Sequence, residues 1–344
     1  MMTLSLSSFP RSTMHGEWAG YLKLAQLLIS SEEYPGLTGR IIIGGAITVC
    51  AGSLIALGIS RYKRNQHKKS MGTVVDPRPT LALGGSGLRI GYMLGTVAAL
   101  RDFVDISTLR VTAVSGSALG ALLLCAPELD VVSVALAIFR CRASVLSGGI
   151  RNCYMMDLSK MTHLLVNELK VSAKLTEDML QQLSRNKQLF FGITSFRPWP
   201  TAVCVECPPT FEELHRVLGA VVSIPPFFIE TVEVDGYPSA DGFFSHCYSV
   251  PDDHDPNKVI RYCPFPAVWL NFRPPFRDLL CSLAECLYPF ELTRQIASFQ
   301  DGYALAVKFI NSGCQESKLL KIKENPVNRL SEYVEGLRSL ELHV

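Results

Sequence analysis

The sequence predicts an α/β domain preceded by one membrane-crossing helix. Three observations carry this. From Pro77 onward, short apolar runs rich in β-branched residues alternate with helical spacings, the pattern of a sheet covered by helices. Residues 41–60, "IIIGGAITVCAGSLIALGIS", carry no charge, and about 20 apolar residues is the length of α-helix that crosses a bilayer core. The chain of 344 residues is 48% hydrophobic, enough for a large core and a membrane segment together.

The N-terminal part divides by composition. Residues 1–40 begin Ser-rich and acid-free, as organellar presequences do. They then place Trp18, Tyr21, Leu22, Ala25, Leu28 and Ile29 at helical spacing, which predicts an amphipathic helix. The apolar run at 41–60 starts too late for a cleaved signal peptide. Its C-terminal flank, "RYKRNQHKK", opens a basic linker over 61–76, so the positive-inside rule directs the domain that follows to the cytosolic side. Gly44, Thr48, Gly52, Ala56 and Ser60 form a small-residue stripe that would let two such helices pair into a homo-oligomer, and ordinary small-residue content would produce the same stripe.

Within the domain, expected over 77–320, each element has its own signal. "TLALGG" reads as a buried strand meeting a glycine turn, and "RIGYMLGTVAALRDF" as a helix. "TLRVTAVSG" is the next strand and leads into an apolar helix. Residues 155–185 read as mostly helical. "QLFFGITSF" and "TAVCVEC" are strands, and "TFEELHRVLGAVVSI" is a helix opened by Thr210 with acids in its first turn. "FFIETVEVDGYPSADG" predicts a strand or hairpin entering a loop, and "VIRYCPFPAVWL" a late strand interrupted by prolines. The stretch from Arg277 to Leu342 reads as helical, with 321–344 as a tail.

Charge and cysteine usage remove several function classes. The formal net charge is +2, and Arg61, Lys63, Arg64, Lys68 and Lys69 alone supply five positives; without them the remainder stands at −3. No basic surface is left to neutralise phosphates, so no nucleic-acid partner is expected. The 11 cysteines are scattered and odd in number, which indicates a reducing compartment. Cys204 and Cys207 form a lone C-x-x-C, and Cys281 with Cys286 is a poor second pair, so no metal is expected. No dinucleotide fingerprint appears, so no cofactor is expected.

Three pieces carry chemistry. In "LALGGSGLRIGYMLG", residues 81–95, Gly84, Gly85, Ser86 and Gly87 turn the backbone just where a helix begins. Their N–H groups and the helix N-terminus suit an oxyanion. In "VTAVSGSALGALLL", residues 111–124, a strand enters a small-residue turn and leaves as a helix, the layout of a nucleophile elbow. Gly116 and Gly120 bracket it as the two glycines of G-x-S-x-G, which puts Ala118 at the tip. In "DGYPSADGF", residues 235–243, a loop aspartate could activate a serine directly.

In this order the pieces resemble the patatin-like phospholipase family, from about Thr80 to about Cys247. "GGSGLRIG" resembles the family's G-G-G-x-R-G turn, with Arg89 in the expected place, and "GAVVSIPPFF" resembles its Ala-Ser-x-x-x-Pro helix end. "VDGYPSADGF" resembles its hairpin and Asp-Gly-Gly/Ala, which makes Asp241 the match to the catalytic base. The resemblance implies a three-layer α/β/α sandwich and hydrolysis of acyl-ester lipids by a Ser–Asp dyad. It also implies no role for His246, expected as a packed or surface histidine.

Four positions depart from the pattern: Ser86 and Ile90 replace glycines, Phe243 stands where Gly or Ala is usual, and Ala118 holds the nucleophile position. A methyl group cannot attack a carbonyl, so the expectation is a degenerate member: a membrane-anchored protein that binds or acts at acyl lipids without ordinary hydrolysis. Two alternatives stand beside it. One is an active hydrolase using Ser117, its hydroxyl expected to point away from the oxyanion turn, or a hydrolase whose serine at 118 was exchanged for alanine. The other is a structural membrane protein dimerising through its helix.

Overall fold

The computed structural model describes residues 75–87, 89–146, 158–197, 199–223, 232–246, 248–264, 272–274 and 292–339. The expected membrane helix with its small-residue stripe, the amphipathic segment and the basic block lie outside the described residues. Among the described residues no helix is long and apolar enough to cross a membrane.

The strands are β1 (Thr80–Leu83), β2 (Arg110–Val114), β3 (Leu189–Arg197), β4 (Trp199–Glu206), β5 (Val232–Val234), β6 (Tyr237–Asp241) and β7 (Val259–Tyr262). The helices are α1 (Ile90–Phe103), α2 (Ser117–Cys125), α3 (Val131–Leu146), α4 (Leu158–Val171), α5 (Glu177–Arg185), α6 (Phe211–Val222), α7 (Leu292–Ile310) and α8 (Leu330–Ser339). The result is a mixed α/β domain on one sheet of order β5-β6-β3-β2-β1-β7, with β4 also paired to β3. β1, β2, β3 and β7 run parallel. Every residue of β1 and β2 is buried, polar Thr80, Arg110 and Thr112 included, as expected of central strands covered on both faces.

β3 organises the sheet. Its whole length from Phe190 to Arg197 pairs with β4. A strand has two edges, so its remaining partners lie end to end on the other one. β2 pairs up to Val114↔Gly192, and β6 takes over at Ile193↔Asp241. The β5–β6 turn is the Asp235-Gly236 dipeptide with φ of 53° and 74°, the left-handed pair that a two-residue hairpin requires.

Local signals account for the helices around it. Thr176 and Thr210 cap α5 and α6, accepting the N–H of Met179 and Glu213. α1 and α7 cross with their backbones in contact: a methyl group added at Gly95 would strike the Phe299 carbonyl, and one at Gly302 the Tyr92 carbonyl. The C-terminal residues, expected as a tail, belong to this packing. Asp102 on α1 is buried, accepts the hydroxyls of Tyr303 (2.7 Å) and Tyr333 (2.9 Å), and pairs with Arg329 at 2.8 Å. At the start of β2, buried Arg110 pairs with Asp253 at 2.9 Å and reaches Asp76 at 3.6 Å, which fixes the chain as it enters β1.

Candidate active site

The C-terminal ends of neighbouring parallel strands are where an α/β sheet presents backbone to a ligand. Here β1 runs out into Gly84-Gly85-Ser86-Gly87 and β2 into Ser115-Gly116. The register Leu83↔Ala113 sets these two exits side by side.

The tip of the second turn is Ser115, not Ala118. Ser115 is the first residue off β2 and has φ of 59°, a left-handed conformation uncommon outside glycine. Gly116 then caps α2, which begins at Ser117. Ala118 is therefore the second residue of a helix, wholly buried, with its N–H given to the Ser115 carbonyl. Gly120 lies in that helix too. Its lack of a side chain makes room for α1, since a methyl group there would come within 2.8 Å of Met93 Cγ. Ser117 also departs from expectation. Its hydroxyl faces the oxyanion turn and donates to the Gly84 carbonyl, tying the start of α2 to the end of β1.

Asp241 meets Ser115 because of the hand-over on β3. β2 ends opposite Gly192, and Asp241 lies opposite Ile193, so the residue leaving β2 points at the end of β6. The carboxyl is fully buried. Oδ1 accepts the Phe243 N–H at 2.8 Å, while Oδ2 closes no hydrogen bond among the described residues. Burial pushes the carboxyl up to about 7, and the Ser115 hydroxyl and the Phe243 N–H hold it back from going higher. The Ser115 hydroxyl is thus close enough to act on the carboxyl without closing a hydrogen bond to Oδ2, a common geometry in an unliganded site. The aspartate's own backbone is fixed: its N–H donates to Ser223 and its carbonyl accepts the Thr194 hydroxyl, both at 2.8 Å. The backbone N–H of His246 donates to the Gly242 carbonyl at 2.8 Å.

The glycine turn faces the same point. A methyl group on Gly85 would lie 3.2 Å from Ser115 Cβ, 3.8 Å from its Oγ and 3.5 Å from Phe243 Cδ2. Gly87 has φ of 52°, and the Arg89 N–H closes the turn onto the Ser86 carbonyl. The N–H groups of Gly85, Ser86, Gly87 and Gly116 make no hydrogen bond to any described residue, which leaves four donors on the two turns that flank Ser115. Arg89 supports the turn from outside: its buried guanidinium stacks on Tyr92 at 3.9 Å and donates to the Pro264 carbonyl. The Cys263 thiol donates to the Gly85 carbonyl at 3.5 Å.

Ser115 is the residue the motif reading missed, and a signal for it was present. An elbow needs small residues two positions either side of its tip, and Ala113 and Ser117 supply them around Ser115 as well as glycines would.

The fold is similar to that of VipD from Legionella pneumophila, known from a crystal structure, with a TM-score of 0.45 at 12% identity over 78% of this chain and 75% of that chain. No family model and no curated protein matches the chain.

Proposed function

We propose that this protein is a serine acyl hydrolase in which Ser115 is the nucleophile and Asp241 its base. One observation carries the reading: a serine held at positive φ on a strand-to-helix turn, end-on to a buried carboxyl with an unsatisfied oxygen. Strain of this kind persists where the surrounding fold enforces it, and it concentrates at reactive sites. The motif order, resembling that of patatin-like phospholipases, supports acyl-ester lipids as the substrate class and a patatin-like α/β/α arrangement. With Ser115 at the tip, Ala118 no longer argues for an inactive protein, and neither Ser117 nor an altered residue 118 is needed.

In the mechanism, ionised Asp241 takes the proton of Ser115 Oγ as it attacks the ester carbonyl carbon. The carbonyl oxygen becomes an oxyanion and is received by the N–H groups of the Gly85–Gly87 turn and of Gly116. The C–O bond to the alcohol then breaks, Asp241 returns its proton to the leaving oxygen, and water releases the acyl group by the same steps in reverse. The apolar segment 41–60 and the basic block behind it would hold this chemistry at an anionic membrane surface, on the cytosolic side.

The test is labelling of the purified chain with a fluorophosphonate. We expect the parent chain and Ala118→Ser to label alike, Ser117→Ala to label more slowly, and Ser115→Ala not to label. Labelling of Ser115→Ala at the parent's rate would sink the assignment.

A further inference from the structure

We propose that the Phe243 ring is the wall of the subsite for the alcohol half of the ester and restricts that half to small, unbranched groups. This rests on the Ser115–Asp241 reading above. Phe243 stands on the short helical turn that follows β6. Its N–H holds Asp241 Oδ1 at 2.8 Å, and a methyl group added at Gly85 would stand 3.5 Å from its ring edge and 3.8 Å from Ser115 Oγ. The side chain therefore spans from the base to the oxyanion turn, half-buried, with one side toward solvent.

The leaving oxygen must receive its proton from Asp241, so at bond cleavage it lies between Ser115 Oγ and the carboxyl. The group it carries extends along the ring of Phe243, while the acyl chain leaves the carbonyl carbon in another direction. The wall cannot retreat easily, because the backbone at Gly242 is packed against the Gly192 carbonyl of β3.

Two ester series on the full-length chain test this. In one, a butyryl group is joined to alcohols from methyl to branched and bicyclic; in the other, one small alcohol is joined to acyl chains of increasing length. For Phe243→Ala we expect kcat/KM on the bulkiest alcohols to rise about tenfold relative to methyl, the scale on which pocket walls discriminate. Phe243→Trp should shift the same ratio the other way, and the shape of the acyl-length profile should not move. Phe243→Leu supplies the comparison should Phe243→Ala unfold on a thermal scan. A shift along the acyl series, or along neither, overturns the wall. Ser115→Ala separates the two failures. If that variant is inert and the Phe243 variants change nothing, only the wall falls. An active Ser115→Ala or an inert parent chain overturns the site and the wall with it.

Discussion

Gly116 lies with its α-carbon against the carbonyl of Gly87, so the elbow and the oxyanion turn touch backbone to backbone. A methyl group at 116 would stand 2.6 Å from that oxygen and 2.7 Å from Ser86 Oγ, and only the turn itself could yield. Gly116→Ala should therefore push the N–H donors away from Ser115. Misplacement by about 1 Å is enough to cost on the order of 100-fold in rate, while overpacking of this size costs about 1–3 kcal/mol of stability. Labelling rate and urea midpoint, measured together, separate the two effects. A variant as reactive as the parent would show that the contact does not set the geometry.

The pH dependence follows from Asp241. In the proposed mechanism the carboxyl acts as base only when ionised, and burial has moved its titration up to about 7. Ester hydrolysis, followed as kcat/KM, should rise with pH through the neutral range and level off above it. A profile already flat from pH 5 upward would mean that another group takes the proton.

The same shift makes the site a liability for the fold. The folded-state value lies above the ordinary one of 3.8, so the neutral carboxyl favours folding, and that contribution disappears as pH rises through about 7. The full shift corresponds to about 4 kcal/mol. Asp241→Asn keeps an acceptor for the Phe243 N–H and carries no charge. Its melting temperature should exceed the parent's at pH 8, with the gap closing as the pH approaches 4. An equal gap at both pH values would contradict the linkage.

Asp102 gives a prediction away from the site. Replacing it by alanine leaves two tyrosine hydroxyls and Arg329 without their shared acceptor, a loss of about 2–3 kcal/mol. Trypsin should then cut faster at Lys323 and Arg329, as the segment leading into α8 comes away from α1. Unchanged cleavage would place the hold on the C-terminal residues elsewhere.

Much of this architecture is legible in the residues. β1, β2, β3, β4 and β7 coincide with apolar runs, and α6 begins at Thr210 because a threonine followed by two acids is a strong start signal. The Asp235-Gly236 hairpin could be read for the same reason: short turns depend on local chemistry alone, whereas it is the family resemblance that singles out Asp241. The elbow went wrong because glycine was used as its marker. Gly116 belongs to the turn, but Gly120 is a glycine of helix packing, and pairing the two shifts the tip three residues along. Where β2 ends is decided by its ladder with β3, a contact distant in sequence. The latch on Asp102 was hidden likewise, since its partners Tyr303, Arg329 and Tyr333 look like ordinary helix residues until α1 and α7 come together.

The hand-over of β3 from β2 to β6 also bears on how this molecule tolerates alteration. Hydroxyl and carboxyl are spaced by one backbone ladder, as two marks on a single ruler. Connections between the strands could therefore be exchanged or lengthened without disturbing the pair. One residue inserted between Gly192 and Ile193 would do the reverse: it would turn Asp241 to the other face of the sheet and disarm the protein while leaving every loop intact.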